Sequence, residues 1–343
     1  MSPLVAATRT PEERGLRRDG VKLMVGSRSS GALVHSTFSR FPDFLGPDDI
    51  VVINTSATLP AAVDVVDPAT GEPWVAHFST ELDGGTWVVE PRLPDGLASK
   101  PLSKSARSQE GPPRRLVRGD LEISIAGSYR GSSRLFLAHI HAPVPVVEWL
   151  TANGRPVRYG YLESAPHAGQ YQNVYALEPG SAEMPSAGRP FSAEVLARLV
   201  AQGTAVAPIV LHTGVSSLES GELPYPERVK VPASTCRRVN ETRRAAGRVV
   251  AVGTTVVRAL ESAVDPGTGL VQPLDGWTDL VVGPDHRLMA ADALVTGWHE
   301  AQATHRWIVE AFAGRELLEA AYDEASRANY LLHEFGDSAL FLP

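Results

Sequence analysis

Cysteine is nearly absent: Cys236 is the only one in 343 residues. Intramolecular disulfides and cysteine-ligated zinc are thereby excluded, and a reducing cytoplasm is the expected compartment. Long apolar runs are missing as well. None approaches the ~18 residues that span a bilayer, and the first residues, MSPLVAATRTPEERGLRRDG, carry no apolar stretch or small-residue cleavage site. Neither a membrane span nor an export signal is therefore expected. Internal repeats are absent, which removes solenoids and propellers. Positive charge is in deficit, with 32 Lys and Arg against 39 Asp and Glu and a formal net charge of −7. A dedicated nucleic-acid binder is usually basic overall, so any RNA contact here needs a local patch. Two stretches qualify: Lys100, Lys104, Arg107, Arg114, Arg115 and Arg118, and Arg228, Lys230, Arg237, Arg238, Arg243, Arg244 and Arg248. Either could equally be a solvated surface.

What is present is ordinary for a folded enzyme-sized chain: 43% hydrophobic and 21% charged residues, enough length for two domains. Ile50-Val51-Val52-Ile53 reads as a buried strand, closed by Asn54-Thr55-Ser56, whose side chains can bond nearby backbone. From about Gly71 to His141 short strand-like pieces alternate with turns: residues 74–79, 86–89, 121–126 and 135–141. That spacing predicts a small antiparallel barrel or sandwich. Beyond it helix and strand alternate. Ser192 caps a helix with an apolar stripe of Val195, Leu196, Leu199 and Val200, ended by Gly203. A strand over 206–211, a helix around 234–247 and a strand over 249–252 follow. Leu280-Val281-Val282 reads as another buried strand, and residues 301–328 read as two helices broken at Gly314. The expected fold class is an α/β core with a largely parallel sheet plus an inserted antiparallel β-barrel domain. Residues 1–70 and 145–343 would form the core and residues 71–144 the insertion.

Three stretches carry candidate chemistry. In VVAVGTTVVRALES (249–262), Gly253 permits close backbone approach and Thr254-Thr255 open a helix whose free N–H groups attract a carboxylate or phosphate. Thr254, Arg258 and Glu261 share one face of that helix, suited to a zwitterionic ligand; a capped helix with a surface Arg–Glu pair has the same spacing. In YQNVYALEPGSAEMPSAGRPFS (171–192), Tyr171, Tyr175 and Phe191 bracket a loop containing Ser186, Ala187 and Gly188. Such rings can stack a purine or face a sulfonium cation, or simply pack the loop. In ADALVTGWHEAQATH (291–305), the His299-Glu300 pair lacks the histidine a zincin needs at 303, where alanine stands. Trp298-His299 could supply a stacking ring and a proton-transfer group. His212 follows a strand, where ligand crevices of open sheets lie. His139 and His141 have no evident third ligand, and no metal is expected.

These stretches in this order resemble the S-adenosylmethionine:tRNA ribosyltransferase-isomerases of queuosine biosynthesis. The residues that carry the resemblance are YQNVYA, PSAG, VLHTG, VVAVGTTVVRALES, ADALVTGWH and FGDSALFL, with GALVHSTFSRFPDFLGPDDIVVINTSATLPA upstream. The resemblance implies an α/β core carrying an inserted six-stranded barrel. It implies that S-adenosylmethionine is a co-substrate, whose ribosyl part moves onto the aminomethyl group of a 7-deazaguanine in tRNA, releasing adenine and methionine. The expected proton-transfer residues are then His212, His299 and Glu261. The expected S-adenosylmethionine contacts are Tyr171, Gln172, Tyr175, Ser186, Ala187, Gly188, Phe191, Gly253, Thr254, Thr255, Arg258 and Trp298. Arg258→Ala is expected to weaken that binding without unfolding the chain. The chain also departs from the family pattern. PTAGLHF appears as PSAGRPF, with Arg189-Pro190 in place of the histidine stretch, and LHVGAGTF appears as LHTGVSSL. The paired-histidine segment reads LPYPERVKV, and the NDTRVIPAR-like stretch reads NTSATLPAA. A relative acting on a small-molecule acceptor, or cleaving S-adenosylmethionine itself, is the alternative these departures raise; a non-catalytic binding protein is the third.

Overall fold

The computed structural model of the chain describes residues 4–96, 98–102, 111–215, 223–300 and 305–343. Lys104, Arg107, Ala303 and the 216–218 end of LHTGVSSL lie outside them.

The centre of the core is four parallel strands, in the order Ala205–Leu211, Ile50–Asn54, Val249–Val252 and Ala293–Gly297. Antiparallel strands extend both sides, Glu227–Val231 and Leu274–Thr278 on one, Ser338–Leu342, Lys22–Ser27 and Leu33–Thr37 on the other. Within this outer group Ser338–Leu342 and Lys22–Ser27 run parallel to each other. The nine-stranded sheet is thus mixed, with its parallel centre covered on both faces. The covering explains the unbroken β-branched runs. Ile50, Val52, Val249 and Ala251 face one core cluster, while Val51, Ile53, Val250 and Val252 face another, all buried. The first cluster is roofed by the helices Ala233–Arg244, Thr254–Ser262, His305–Ala313 and Arg315–Arg327, the second by Ala193–Ala201.

The caps fall where the side chains require. Ser192 Oγ accepts the Val195 amide at 3.2 Å, and Gly203 takes φ +91° after the helix end. The apolar stripe is narrower than its spacing suggests: Val195 and Leu199 are buried, but Val200 is 67% exposed. Gly314, at φ +73°, separates the last two helices.

Six strands close a barrel: Ala62–Val66, Pro73–Glu81, Trp87–Asp95, Arg115–Arg118, Leu121–Ser128 and Phe136–His141. Closure comes from Phe136–Ala138 pairing with Trp87–Val89. A further strand, Ala98–Pro101, folds back on the third. The barrel therefore starts at Ala62, upstream of the boundary expected at residue 71. That first strand alternates Val63 and Val65 inward with Asp64 and Val66 outward, a repeat too short to stand out from the preceding buried run. Leu280-Val281-Val282 is not a strand. The Leu280 amide goes to Thr278 Oγ1 at 3.2 Å and its carbonyl accepts Arg258 Nε at 2.9 Å, so side chains take the place of a ladder. Among the described residues, no helix is long and apolar enough to cross a membrane.

Candidate active site

The carboxyl ends of the four parallel strands converge on a cavity of about 170 Å³. Each strand delivers a segment to it or beside it. After Ile50–Asn54 comes Asn54 itself, whose Nδ2 donates to the Leu211 carbonyl at 2.8 Å and whose Oδ1 accepts the Leu211 and Ser56 amides at 3.0 and 3.1 Å. One amide side chain thus clamps two strand ends. After Ala205–Leu211 come Thr213 and Gly214, after Val249–Val252 the Gly253-Thr254-Thr255 turn, and after Ala293–Gly297 comes His299, all in the wall. Ser79 reaches in from the barrel and its Oγ accepts the Val215 amide at 3.0 Å.

The turn at Gly253 has φ +92°, a conformation only glycine adopts without strain, and a Cβ there would stand 3.2 Å from Ala187 Cβ. The glycine thus brings the Ser186-Ala187 segment onto the start of helix Thr254–Ser262. The Val256 and Val257 amides turn back to the Gly253 carbonyl at 3.1 and 3.3 Å. The amides of Thr254 and Thr255 lead the helix with no cap side chain, at its positive end.

Carboxylates face this end. Glu227, its side chain 15% exposed, forms an ion pair with Arg258 and accepts the Gly214 amide at 3.3 Å. Burial pushes Glu227 up and Arg258 opposes that rise. Glu334 accepts the Tyr161 hydroxyl, and burial pushes its carboxyl up to about 7. Glu183 lines the same cavity. His299 stacks on His305 at 4.8 Å, with Nε2 3.4 Å from Thr296 Oγ1. Removal from water, and then the neighbouring His305 and His333, hold the His299 imidazole well below its ordinary pKa, so it is neutral near pH 7. Among the described residues, no group of three or more His, Cys, Asp or Glu side chains could hold a metal ion.

Of the residues expected from sequence, Ser186, Ala187, Gly253, Thr254, Thr255, Arg258 and His299 line the cavity together. The others stand elsewhere, each for a visible reason. Tyr171 packs with Ala7, Leu162, Met184 and Phe335 and opens onto a different groove. Gln172 is a backbone clamp, its side chain accepting the Thr58 amide at 2.9 Å and donating to the Thr58 carbonyl at 2.7 Å. Tyr175 lies under Gly188, where a Cβ would sit 2.0 Å from its hydroxyl, and packs against Phe191. Phe191 completes an aromatic cluster with Phe38 and Phe41. Trp298 is 1% exposed, edge-on to Tyr322 and Tyr330. His212 shares its Nδ1 with Ser56 Oγ at 2.7 Å, beneath Gly180. Glu261 points away from the cavity. Its carboxylate accepts the amides of Met289, Ala290 and Ala291, so it organises a loop instead of moving protons. Nor does Arg258 pair with Glu261 on the surface: it is 6% exposed and bound to Glu227. Arg189, which replaces part of the family motif, is structural too. It pairs with Glu12 at 2.7 Å, donates to the Gln170 carbonyl and lies over Phe335.

The family model described as queuosine biosynthesis protein matches residues 3–341. The chain belongs to the queuosine biosynthesis protein family. Its relatives include the S-adenosylmethionine:tRNA ribosyltransferase-isomerase of Symbiobacterium thermophilum, 36% identical over 95% of this chain and 94% of that one. The enzyme of that name from Pelobacter propionicus is 32% identical over 99% and 96%. Among solved structures, the S-adenosylmethionine tRNA ribosyltransferase of Thermotoga maritima superposes with a TM-score of 0.53 at 25% identity, covering 99% of this chain and 96% of that one. This member of the queuosine biosynthesis family is accordingly an enzyme, with an α/β core and a barrel. Glu183, Glu227, Glu334 and His305 escaped the sequence reading. Glu227 sits in LPYPERVKV and Glu334 just before FGDSALFL, where neither has a spacing that marks it.

Proposed function

We propose that the enzyme consumes S-adenosylmethionine as a ribosyl donor, transferring and isomerising its ribosyl part onto 7-aminomethyl-7-deazaguanine in cytoplasmic tRNA. The product would be epoxyqueuosine, with adenine and methionine released. The observation that carries this reading is the meeting, in one cavity, of a helix N-terminus with three carboxylates and a neutral histidine. The amides of Thr254 and Thr255 suit the methionine carboxylate, because the helix start is positive and has no cap side chain of its own. Glu183, Glu227 and Glu334 suit the ammonium and sulfonium charges. The neutral imidazole of His299 suits proton removal from the activated ribose. Arg258 acts on Glu227, favouring its ionised form against the pull of burial.

The decisive experiment incubates the purified enzyme with S-adenosylmethionine and tRNA carrying the aminomethyl-deazaguanine, following adenine and methionine by mass spectrometry. Release that requires the tRNA is the expected result. Release without it would move the enzyme to a small-molecule acceptor or to cleavage of S-adenosylmethionine, and no release would overturn the reading.

A further inference from the structure

Glu334 enters the cavity wall from an unusual turn. His333, just before it, has φ +72°, a backbone conformation that side chains rarely adopt. Backbone bonds hold it there: the His333 amide donates to the Trp298 carbonyl at 3.0 Å, and its carbonyl accepts the Gly336 amide at 3.0 Å. Outliers fixed in this way gather at functional sites. The His333 ring is also one layer of a stack. The Tyr161 ring lies 4.6 Å from it with planes 14° apart, and the Tyr159 ring lies 5.7 Å from Tyr161 with planes 6° apart. Both faces of Tyr161 are therefore covered, and its hydroxyl donates to Glu334. Among the described residues the cavity wall has one arginine and no lysine, and that arginine, Arg258, is taken by Glu227. The other titratable groups around Glu334 are Tyr159 and His333 in the stack, with Glu183 and the His299–His305 pair in the same wall. Burial keeps Tyr159, His299, His305 and His333 uncharged near pH 7, and His333 Nε2 turns to Glu300 at 3.7 Å.

We propose that Tyr161 is a positioning residue for Glu334: its clamped hydroxyl orients the carboxylate and favours the ionised form, so that Glu334 meets the positive charge of the ligand. Glu227 already has a counter-charge in Arg258, whereas Glu334 has neutral donors, the Tyr161 hydroxyl and its own backbone amide. An arriving ammonium or sulfonium supplies the cation it lacks. Because burial holds this carboxyl near 7, about half of the molecules are protonated at neutrality, and a bound cation expels that proton. Protonation of Glu334 and binding of the cation thus compete. A hydrogen bond to a carboxylate stabilises its charged form, so Tyr161 sets the pH at which the two balance. The inference rests on the S-adenosylmethionine reading above and names one contact within it.

Calorimetric titration of the purified enzyme with S-adenosylmethionine, without RNA, tests it at pH 6, 7 and 8.5. Tyr161→Phe keeps the ring stack and removes the donor, which should raise the Glu334 carboxyl by about one pH unit. Affinity relative to wild type should then fall about tenfold at pH 6 and about fivefold at pH 7, and nearly recover by pH 8.5. Combined with Glu334→Gln, the Tyr161 substitution should have no further effect. S-adenosylhomocysteine keeps the ammonium and lacks the sulfonium: a penalty retained on it assigns the charge at Glu334 to the ammonium, a penalty lost to the sulfonium. A loss equal at every pH, a loss that persists beside Glu334→Gln, or no loss overturns the proposal. So does an equal loss for methylthioadenosine, which carries neither charge. Carbon-13 NMR of the Glu334 carboxyl, read without ligand, should show the same rise of about one pH unit in Tyr161→Phe, and its absence overturns the proposal as well. A wild type that shows this NMR rise on substitution yet binds no S-adenosylmethionine keeps Tyr161 as the residue that tunes Glu334 and strikes the reading of the cavity.

Discussion

Arg258 and Arg158 each line a cavity, and each has guanidinium nitrogens withdrawn from water, but their surroundings are opposite. Arg258 is saturated: a carboxylate from Glu227 and carbonyls from Leu280 and Thr278 take up its donors. Arg158 donates to the Leu162 carbonyl and leaves two nitrogens without acceptors. An arginine bound to its own carboxylate and carbonyls is part of the cavity's preformed wall. The Arg158 guanidinium, its Nε and Nη1 closed off from water, is held by one bond to the Leu162 carbonyl and by packing. The contrast separates a guanidinium tied by its partners from one that leaves donors unmet, and it is open to attack at both ends.

The largest effect is expected at the saturated end. Arg258→Ala would leave Glu227 buried without its counter-charge, destabilising the chain by about 3 kcal/mol in urea denaturation. Adding Glu227→Gln should recover more than half of the loss, because the stranded charge then disappears. This replaces the expectation from sequence that Arg258→Ala would affect binding alone. A loss below about 1 kcal/mol would show that the pair is solvated, and the contrast with Arg158 would collapse.

Helix Thr254–Ser262 shows how far the sequence was legible. Its start, its glycine turn and its position at a strand end follow from local patterns, and so does the alternation of the barrel strands. The partners of its polar face do not. Arg258 and Glu261 lie on neighbouring turns, yet Arg258 reaches Glu227 and Glu261 reaches the 289–291 backbone, contacts decided by sheet order. The aromatic residues failed for a related reason. Tyr171, Tyr175, Phe191 and Trp298 have the composition of a ring cage, but a ring that packs a loop and a ring that faces a ligand have identical local sequence. Glu334 was invisible because only the return of the last strand beside the first strand of the core sheet brings it to the cavity.

Two effects of intermediate size sharpen the description of the cavity. Glu261→Ala strips the acceptor from the amides of Met289, Ala290 and Ala291, and should cost about 2 kcal/mol while leaving S-adenosylmethionine affinity unchanged. A matching loss of affinity would restore Glu261 to the site. Glu334 sets a pH dependence. Its folded carboxyl titrates near 7, above the ordinary 4.5, so between those values the folded chain holds a proton that the unfolded chain has lost. Stability from this group is complete below pH 4.5 and is lost as pH rises through about 7, a fall of roughly 3 kcal/mol. Glu334→Gln should flatten that part of the curve, and an unaltered slope would place the titration on another residue.

The smallest effect is expected at the unsatisfied end, and its sign matters more than its size. Arg158→Met keeps the aliphatic stem against the groove, removes two donors that lack acceptors and forfeits one bond to the Leu162 carbonyl. The bond contributes about 1 kcal/mol, and relief of the stranded donors is of similar magnitude, so stability should stay within about 1 kcal/mol of wild type. If Arg158→Met instead destabilised the chain as much as Arg258→Ala, the guanidinium would be a structural tie, and the two arginines would no longer differ in kind.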